Sequence, residues 1–354
     1  MRIQKVLFIC RNISGRQNDG GIMVAKRNLN FFLSLNITLD VINIPPISLW
    51  KHLYNILTLR AYGETSKLRM EISNRIKEKY DLVFFDGSFY GSYVKKASLA
   101  GVKTYCFFHN IEYNFYKAKY LSSHSLVDLF VIPYIKYNEF LSAKYATRRI
   151  MLNTRDAMEL ERIYGQRTDL LLPTSFDPIP IKKATSNRPY CLFVGSDFFA
   201  NIEGMTWFIK NVSPYIKFDI VIVGSVCSSL EQLDLSDYLN VKLRGFVDDL
   251  DEIYFNAACV ISPLFSGSGL KTKTIEALKY GRKIYGTKEA FAGMDINYDE
   301  IGGLCNTAAD FITALNTCSD SKEDYLSAYS LKLFESCFSN EIVFAKLEQL
   351  INNE

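Results

Sequence analysis

Short β-rich runs alternate with helical stretches along almost the whole chain, and this rhythm limits the fold more than any other feature. Apolar runs stand at residues 6–10, 39–44, 82–85, 104–108 and 149–152, with intervals long enough for a crossover helix between successive runs. Strands of this kind, apolar on both faces, belong to parallel sheets covered by helices on each side, so the class expected is α/β. The rhythm breaks over residues 172–189, where Pro173, Pro178, Pro180 and Pro189 stand among polar residues and a Lys182-Lys183 pair; this reads as a linker. It restarts with runs at 191–194, 220–223, 241–244 and 259–262, and a second parallel sheet follows. We therefore expect two doubly wound, Rossmann-like domains, residues 1–175 and 176–339. Ile342, Val343, Ala345, Leu347 and Leu350 fall at helical spacing and predict a C-terminal helix within 340–354. Facing domains of this type offer the carboxyl ends of their strands to a shared cleft.

A chain of 354 residues that is 48% hydrophobic is too long for one core and too apolar for disorder. Residues 1–5 carry two charges, and no uncharged apolar stretch reaches about 18 residues, so neither a signal peptide nor a membrane span is expected. The eight cysteines are scattered singly, without a Cys-x-x-Cys pair and with only three histidines to join them. Free thiols in a cytoplasmic protein are the plain reading.

Charge divides unevenly. Up to residue 175 the chain has 25 Lys and Arg against 14 Asp and Glu, and after it 16 against 24, giving +11 and −8. The first half then faces an anionic surface or substrate, unless the charge is merely unevenly scattered. Nucleic acid lacks a recognisable reading motif here and is not expected as a partner. An anionic membrane suits the clusters Trp50-Lys51-His52-Leu53-Tyr54 and Tyr116-Lys117-Ala118-Lys119-Tyr120, which could equally be buried faces between helices.

After the run ending at Ser262-Pro263 the chain reads Gly267-Ser268-Gly269-Leu270-Lys271-Thr272-Lys273-Thr274-Ile275-Glu276. Two glycines permit close backbone approach, and a helix beginning about Leu270 would aim free N–H groups and its positive dipole end at a ligand. Lys271 and Lys273 in the first turn oppose the helix dipole and cost stability until an anion arrives. This is the pattern of a diphosphate cradle, with Glu276 placed to accept hydrogen bonds from ribose hydroxyls or to pair with Lys273 or Lys279 on the helix surface. The sequence has no Walker loop and no Gly-x-Gly-x-x-Gly after its first strand. No Asp-x-Asp stands at a strand end, and neither a metal nor a cofactor is expected.

The segment resembles the C-terminal signature of bacterial family-4, GT-B-type retaining glycosyltransferases, in the variant Gly-x-Gly-Ile/Leu-Arg/Lys-x-Lys-x-x-Glu-Ala. Phe193-Val194-Gly195-Ser196 with Asn201 and Gly204, and Gly245-Phe246-Val247-Asp248-Asp249, are similar to the same family's donor domain, and His109-Asn110-Ile111-Glu112 to its acceptor side. The resemblance implies a hexosyltransferase that uses a nucleoside-diphosphate sugar and no cofactor, with the C-terminal helix, 340–354, crossing back onto the first domain. It implies donor contacts from Gly20, Gly21, Gly195, Val247, Gly267, Ser268, Gly269, Leu270, Lys271, Thr272, Lys273 and Glu276. His109, Lys271 and Glu276 would take part in catalysis, and Asn110 and Glu112 would stand on the acceptor side. The acceptor would be a glycan or lipid-linked saccharide of bacterial surface polysaccharide, capsule or lipopolysaccharide, and the protein would be cytoplasmic or peripheral at the inner face of the plasma membrane. The commoner pattern carries a glutamate eight positions before Glu276, where this chain has Ser268. A non-catalytic homologue serving as a scaffold or subunit, and a sugar-nucleotide epimerase, are the alternatives.

From the residues alone, the Gly20-Gly21 pair after the first strand reads as a turn allowing close backbone approach to a ligand, or as a simple turn before a helix starting at Ile22. His109 ends a strand run and so reaches the ligand edge of a parallel sheet, or is a core histidine with its hydrogen bonds satisfied. Glu112 could serve as an acid or base, or could cap its helix.

Overall fold

The computed structural model describes residues 3–13, 20–185, 188–267, 269–320 and 325–353. The chain forms two compact units, Met1–Thr174 with Val343–Glu354, and Ser175–Ile342. Each is built on one six-stranded parallel sheet, so the architecture is that of two doubly wound α/β units.

In the first unit the strands are β1 (Lys5–Arg11), β2 (Thr38–Ile44), β3 (Leu82–Asp86), β4 (Lys103–Phe108), β5 (Arg148–Met151) and β6 (Leu170–Leu171), in the order β2-β1-β3-β4-β5-β6. Val6 to Cys10 and Leu82 to Phe85 are fully buried, because helices cover both faces of the sheet. Phe8, Phe32 and Phe84 pack ring against ring on one face, with centroids 5.0–5.7 Å apart. The C-terminal helix Asn340–Asn352 buries Val343, Leu347 and Ile351, and its Phe344 ring meets Phe31 at 5.4 Å.

In the second unit β7 (Tyr190–Val194), β8 (Asp219–Val223), β9 (Val241–Leu243), β10 (Ala257–Ser262), β11 (Lys283–Gly286) and β12 (Gly302–Leu304) take the order β12-β11-β10-β7-β8-β9. The chain moves outward from β7 through β8 to β9 and then starts again on the other side of β7. That reversal makes the gap between the carboxyl ends of β7 and β10 a topological switch point, where open α/β sheets hold ligands. The helix Phe199–Asn211 crosses so close to the chain leaving β10 that a Cβ on Gly204 would sit 2.0 Å from the carbonyl oxygen of Pro263. Only glycine fits there.

All eight cysteines are free thiols, seven of them buried. Among the described residues no helix is long and apolar enough to cross a membrane.

Candidate functional site

The residues at the switch point of the second unit come from both flanking strands. Leaving β10, the chain passes Gly267 at φ +129° and Gly269 at φ +67°, backbone conformations that favour glycine, before the helix Thr272–Lys279 begins. The helix starts two residues later than its sequence suggests. Leu270 is buried, and Lys271 holds an extended N-cap conformation at φ −80°, ψ +101° with no side chain capping the first turn. The N–H groups of Thr272 and Lys273, the first two helical residues, therefore keep the donor character and positive dipole end that attract an anion. Ser268 lies outside the described residues.

Lys271 is not the bare cation its position in sequence implies. Its Nζ lies 2.7 Å from Oε1 of Glu289 and donates to the Gly269 carbonyl at 3.2 Å. Glu289 arrives on the loop after β11. That loop is held by Thr274, whose hydroxyl donates to the Ala290 carbonyl at 3.0 Å, and by Thr287, whose hydroxyl donates to the Leu264 carbonyl. Lys271 thus has an internal counterion, and its cost at a helix N-terminus is offset without a ligand.

Lys273 is different. Its side chain leans back across the switch point, donates to Oδ1 of Asn201 on the helix after β7, and sits 4.2 Å above the Phe193 ring of β7 itself. Among the described residues it has no carboxylate partner. Burial, with a smaller contribution from the Lys271 charge, lowers its pKa to about 7.

Glu276 forms no ion pair with Lys273 or Lys279. Its Oε2 accepts a hydrogen bond from the Tyr254 hydroxyl at 3.0 Å, while Lys279 lies over the rings of Tyr280 and Phe176. Tyr254 is stacked on Tyr280 with centroids 4.2 Å apart and planes 4° from parallel, which fixes the hydroxyl that holds the carboxylate. Burial raises the Glu276 pKa, opposed by the Tyr254 hydrogen bond and by Lys279.

Gly195 stands where the loops after β7 and β8 touch. Its N–H donates to the Val223 carbonyl at 2.9 Å, and its carbonyl oxygen lies 2.2 Å from where a Cβ on Gly224 would be. Val247 is half-buried on the loop after β9 and makes no polar contact with the Lys271, Lys273 and Glu276 group.

In the first unit, Gly20 and Gly21 are the first residues of the helix Gly20–Ser34, and neither has a positive φ. The turn expected from this pair is therefore helix. His109 does stand immediately beyond β4, with Nε2 3.1 Å from Oδ2 of Asp86, the last residue of β3. Asp86 also accepts a hydrogen bond from Asn28 Nδ2 at 2.6 Å, and its side chain is wholly buried. The His109 Nδ1 and Asn110 Oδ1 atoms are buried without hydrogen-bond partners among the described residues. Asp86 is not among the candidate residues read from the sequence; the signal available was a carboxylate directly after the apolar run 82–85 and before Gly87.

Glu112 opens the helix Glu112–Ser123, and what caps that helix is another glutamate, Glu139. Glu139 accepts the N–H groups of Glu112 at 2.8 Å and Tyr113 at 3.2 Å, together with the hydroxyls of Ser88 and Tyr164. Burial raises Glu139 to about 7 against these four donors. Glu112 is pushed well above the carboxylate range by burial and by the charge of Glu139.

Residues 188–319 match the family model described as Glycosyl transferases group 1. The chain is 23% identical over 299 residues to an uncharacterised 44.6 kDa protein of the cps region of Klebsiella pneumoniae, covering 75% of each chain. Solved structures with a similar fold include the Anabaena protein Alr3699/HepE in complex with UDP and glucose, at TM-score 0.66 and 14% identity, with 99% of this chain and all of that chain covered. Another is the lipopolysaccharide outer core galactosyltransferase WaaB in its apo form, at TM-score 0.68 and 14% identity, with 99% of both chains covered. A glycosyltransferase of Rickettsia africae follows at TM-score 0.67 and 15% identity, covering 99% and 98%. Taken with the parallel six-stranded sheets, these matches make residues 188–319 a group 1 glycosyl transferase domain and give the chain as a whole the GT-B fold.

Proposed function

We propose that the chain moves a hexose from a nucleoside-diphosphate sugar to a glycan or lipid-linked saccharide in bacterial surface polysaccharide synthesis, working at the inner face of the plasma membrane and with retention at the anomeric carbon. The observation that carries this reading is the placement of Lys271, Lys273 and Glu276 at one switch point, beside an uncapped helix N-terminus. Transfer from such a donor needs stabilisation of the departing diphosphate. Helix N–H groups and the two lysines supply it, and Glu276, held by Tyr254, accepts hydrogen bonds from ribose. UDP and UDP-glucose in the complexes of the Anabaena protein make uridine diphosphate the first donor nucleotide to test. The cps-region relative supports a capsular or related acceptor.

On the acceptor side, His109 contacts the donor sugar in the orientation Asp86 gives it, and Asn110 and Glu112 meet the acceptor. Glu112, whose carboxyl is pushed upward by burial and by Glu139, opens the helix beside His109 and Asn110 and is placed to meet an acceptor hydroxyl. The reaction requires neither a metal nor a cofactor.

The test is a panel of nucleoside diphosphates and nucleotide sugars in thermal unfolding, since a ligand of the native state raises the melting temperature. Transfer to saccharide acceptors is then assayed with the donor that binds. Donor binding without turnover on any acceptor would favour a scaffold, and conversion of the donor without acceptor would favour an epimerase.

A further inference from the structure

Two helices of the first unit that pack on one another each leave an apolar stripe uncovered. The helix Leu49–Leu57 turns Asn55 and Ile56 inward, where Ile56 joins Val131, Tyr134 and Ile135 of the helix Leu126–Tyr145, and its His52 ring meets Tyr62 and Tyr134 edge-on. Its opposite face, at spacing i, i+4, i+7, is Trp50, Tyr54 and Leu57, which are 80%, 50% and 83% exposed. The helix Leu126–Tyr145 adds Val127 and Phe130, 58% and 72% exposed. Single exposed apolar residues are ordinary, whereas a helix whose whole outer stripe is Trp, Tyr and Leu marks a surface that meets something apolar.

The charges on this region have one sign. The acidic residues of the helices Leu49–Leu57, Glu112–Ser123 and Leu126–Tyr145 are Glu112, Asp128 and Glu139, and all three are buried. Asp128 receives Lys119 at 2.9 Å, and Glu139 is filled by four donors. The exposed charges of the same helices are Lys51, Lys117, Lys119, Lys136 and Lys144. Exposed aromatic and aliphatic side chains on helices whose exposed charges are all lysines complement an apolar layer beneath anionic headgroups. They do not suit a second copy of the chain, since a two-fold contact would set lysines against lysines. The second cluster expected from sequence contributes less than expected. Tyr116 packs inward against the Val131, Tyr134 and Ile135 group, and the exposed apolar side chains come from Val127 and Phe130 instead.

We propose that this face docks the first unit on an anionic lipid bilayer, with Trp50, Leu57 and Phe130 entering the headgroup boundary and Lys51 and Lys117 meeting lipid charge. The purpose of docking rests on the proposed lipid-linked acceptor.

The full chain is floated with vesicles of phosphatidylcholine alone, and with vesicles of phosphatidylcholine and phosphatidylglycerol in equal parts. Binding to the anionic vesicles only, weakened by salt, is expected. Trp50→Ser with Leu57→Ser should reduce it at least about tenfold, and Lys51→Glu with Lys117→Glu by about fivefold per lysine. In Trp207→Phe, which leaves Trp50 as the remaining tryptophan, emission should shift to the blue on anionic vesicles; this readout needs no change to the proposed face. Equal flotation on both vesicles, unchanged binding in both double variants, or a Trp50 emission that ignores lipid would each overturn the proposal. So would a dimer in light scattering that disappears with Trp50→Ser and Leu57→Ser while vesicles are ignored, which would make the face a contact between copies. Titration of UDP is run in parallel. UDP binding without vesicle binding removes the docking face alone, and vesicle binding without any nucleoside-diphosphate binding removes the donor reading alone.

Discussion

Lys271 Nζ and Glu289 Oε1 lie 2.7 Å apart, joining the helix after β10 to the loop after β11, with side chains only 9% and 22% exposed. The carboxylate holds the lysine charge beside Gly267, at the edge of the proposed diphosphate cradle. A bound diphosphate and Glu289 then compete for one cation.

Replacing Lys271 by Ala should weaken UDP binding about tenfold to a hundredfold, as for loss of a charge-assisted phosphate contact. The sequence alone argues that folding would be unharmed or improved, because a cation leaves a helix N-terminus. The pair reverses that sign. Glu289 is left without its lysine, and stability should fall by about 1–2 kcal/mol. Glu289→Ala should tighten UDP about threefold to tenfold by freeing Lys271 for phosphate. Calorimetric titration and thermal unfolding of the two single variants and the double variant read both effects, and an Ala variant of Glu289 that binds UDP more weakly would show that the carboxylate positions Lys271 rather than competing for it.

Glu276→Gln should weaken uridine and UDP by similar factors, about fivefold to twentyfold, because its proposed partner is ribose and not phosphate. Tyr254→Phe should give a smaller loss of the same kind, since the stacked ring remains and only the hydroxyl that holds Glu276 is removed. A loss confined to UDP would move Glu276 out of the ribose role.

The central strands β1, β3, β4, β7, β8 and β10 were legible because their runs are buried on both faces. The short edge strands β6 and β12, of two and three residues, left no apolar run to read. The lysines and Glu276 were legible from their spacing after a strand. Glu289 was not, because its approach to Lys271 depends on β10 and β11 lying side by side, and 18 residues separate the two in sequence. Gly20-Gly21 misled for the opposite reason. A glycine pair permits a turn without requiring one, and here the helix simply begins earlier.

Asp86 invites a separate test. Its carboxylate spans Asn28 and His109, so Asp86→Asn keeps the shape and removes the fixed acceptor for the His109 Nε2 proton. Turnover should fall by at least about tenfold with the affinity for UDP unchanged, as expected for a residue that orients another. Equal losses in turnover and in thermal stability, with His109→Ala showing no effect on turnover, would assign the pair to packing alone.

Lys273 should make donor binding depend on pH. Its folded pKa of about 7 lies below the ordinary 10.5, so the unfolded chain holds a proton between these values that the folded chain does not. Stability without ligand therefore rises with pH across that window, and the full cost of charging the buried amine is present below about pH 7. A diphosphate beside Lys273 favours the charged amine and raises its pKa, so UDP binding near pH 8 should take up close to one proton. Affinity should then fall by up to about tenfold per pH unit above 7. Titration of UDP at pH 8 in buffers of different ionisation enthalpy measures that uptake directly. In Lys273→Met the uptake should vanish, and unfolding temperature should rise more at pH 6 than at pH 9, because the variant removes a cost that is full below about pH 7 and has partly faded by pH 9. Proton uptake that persists in Lys273→Met would place the titrating group elsewhere in the site.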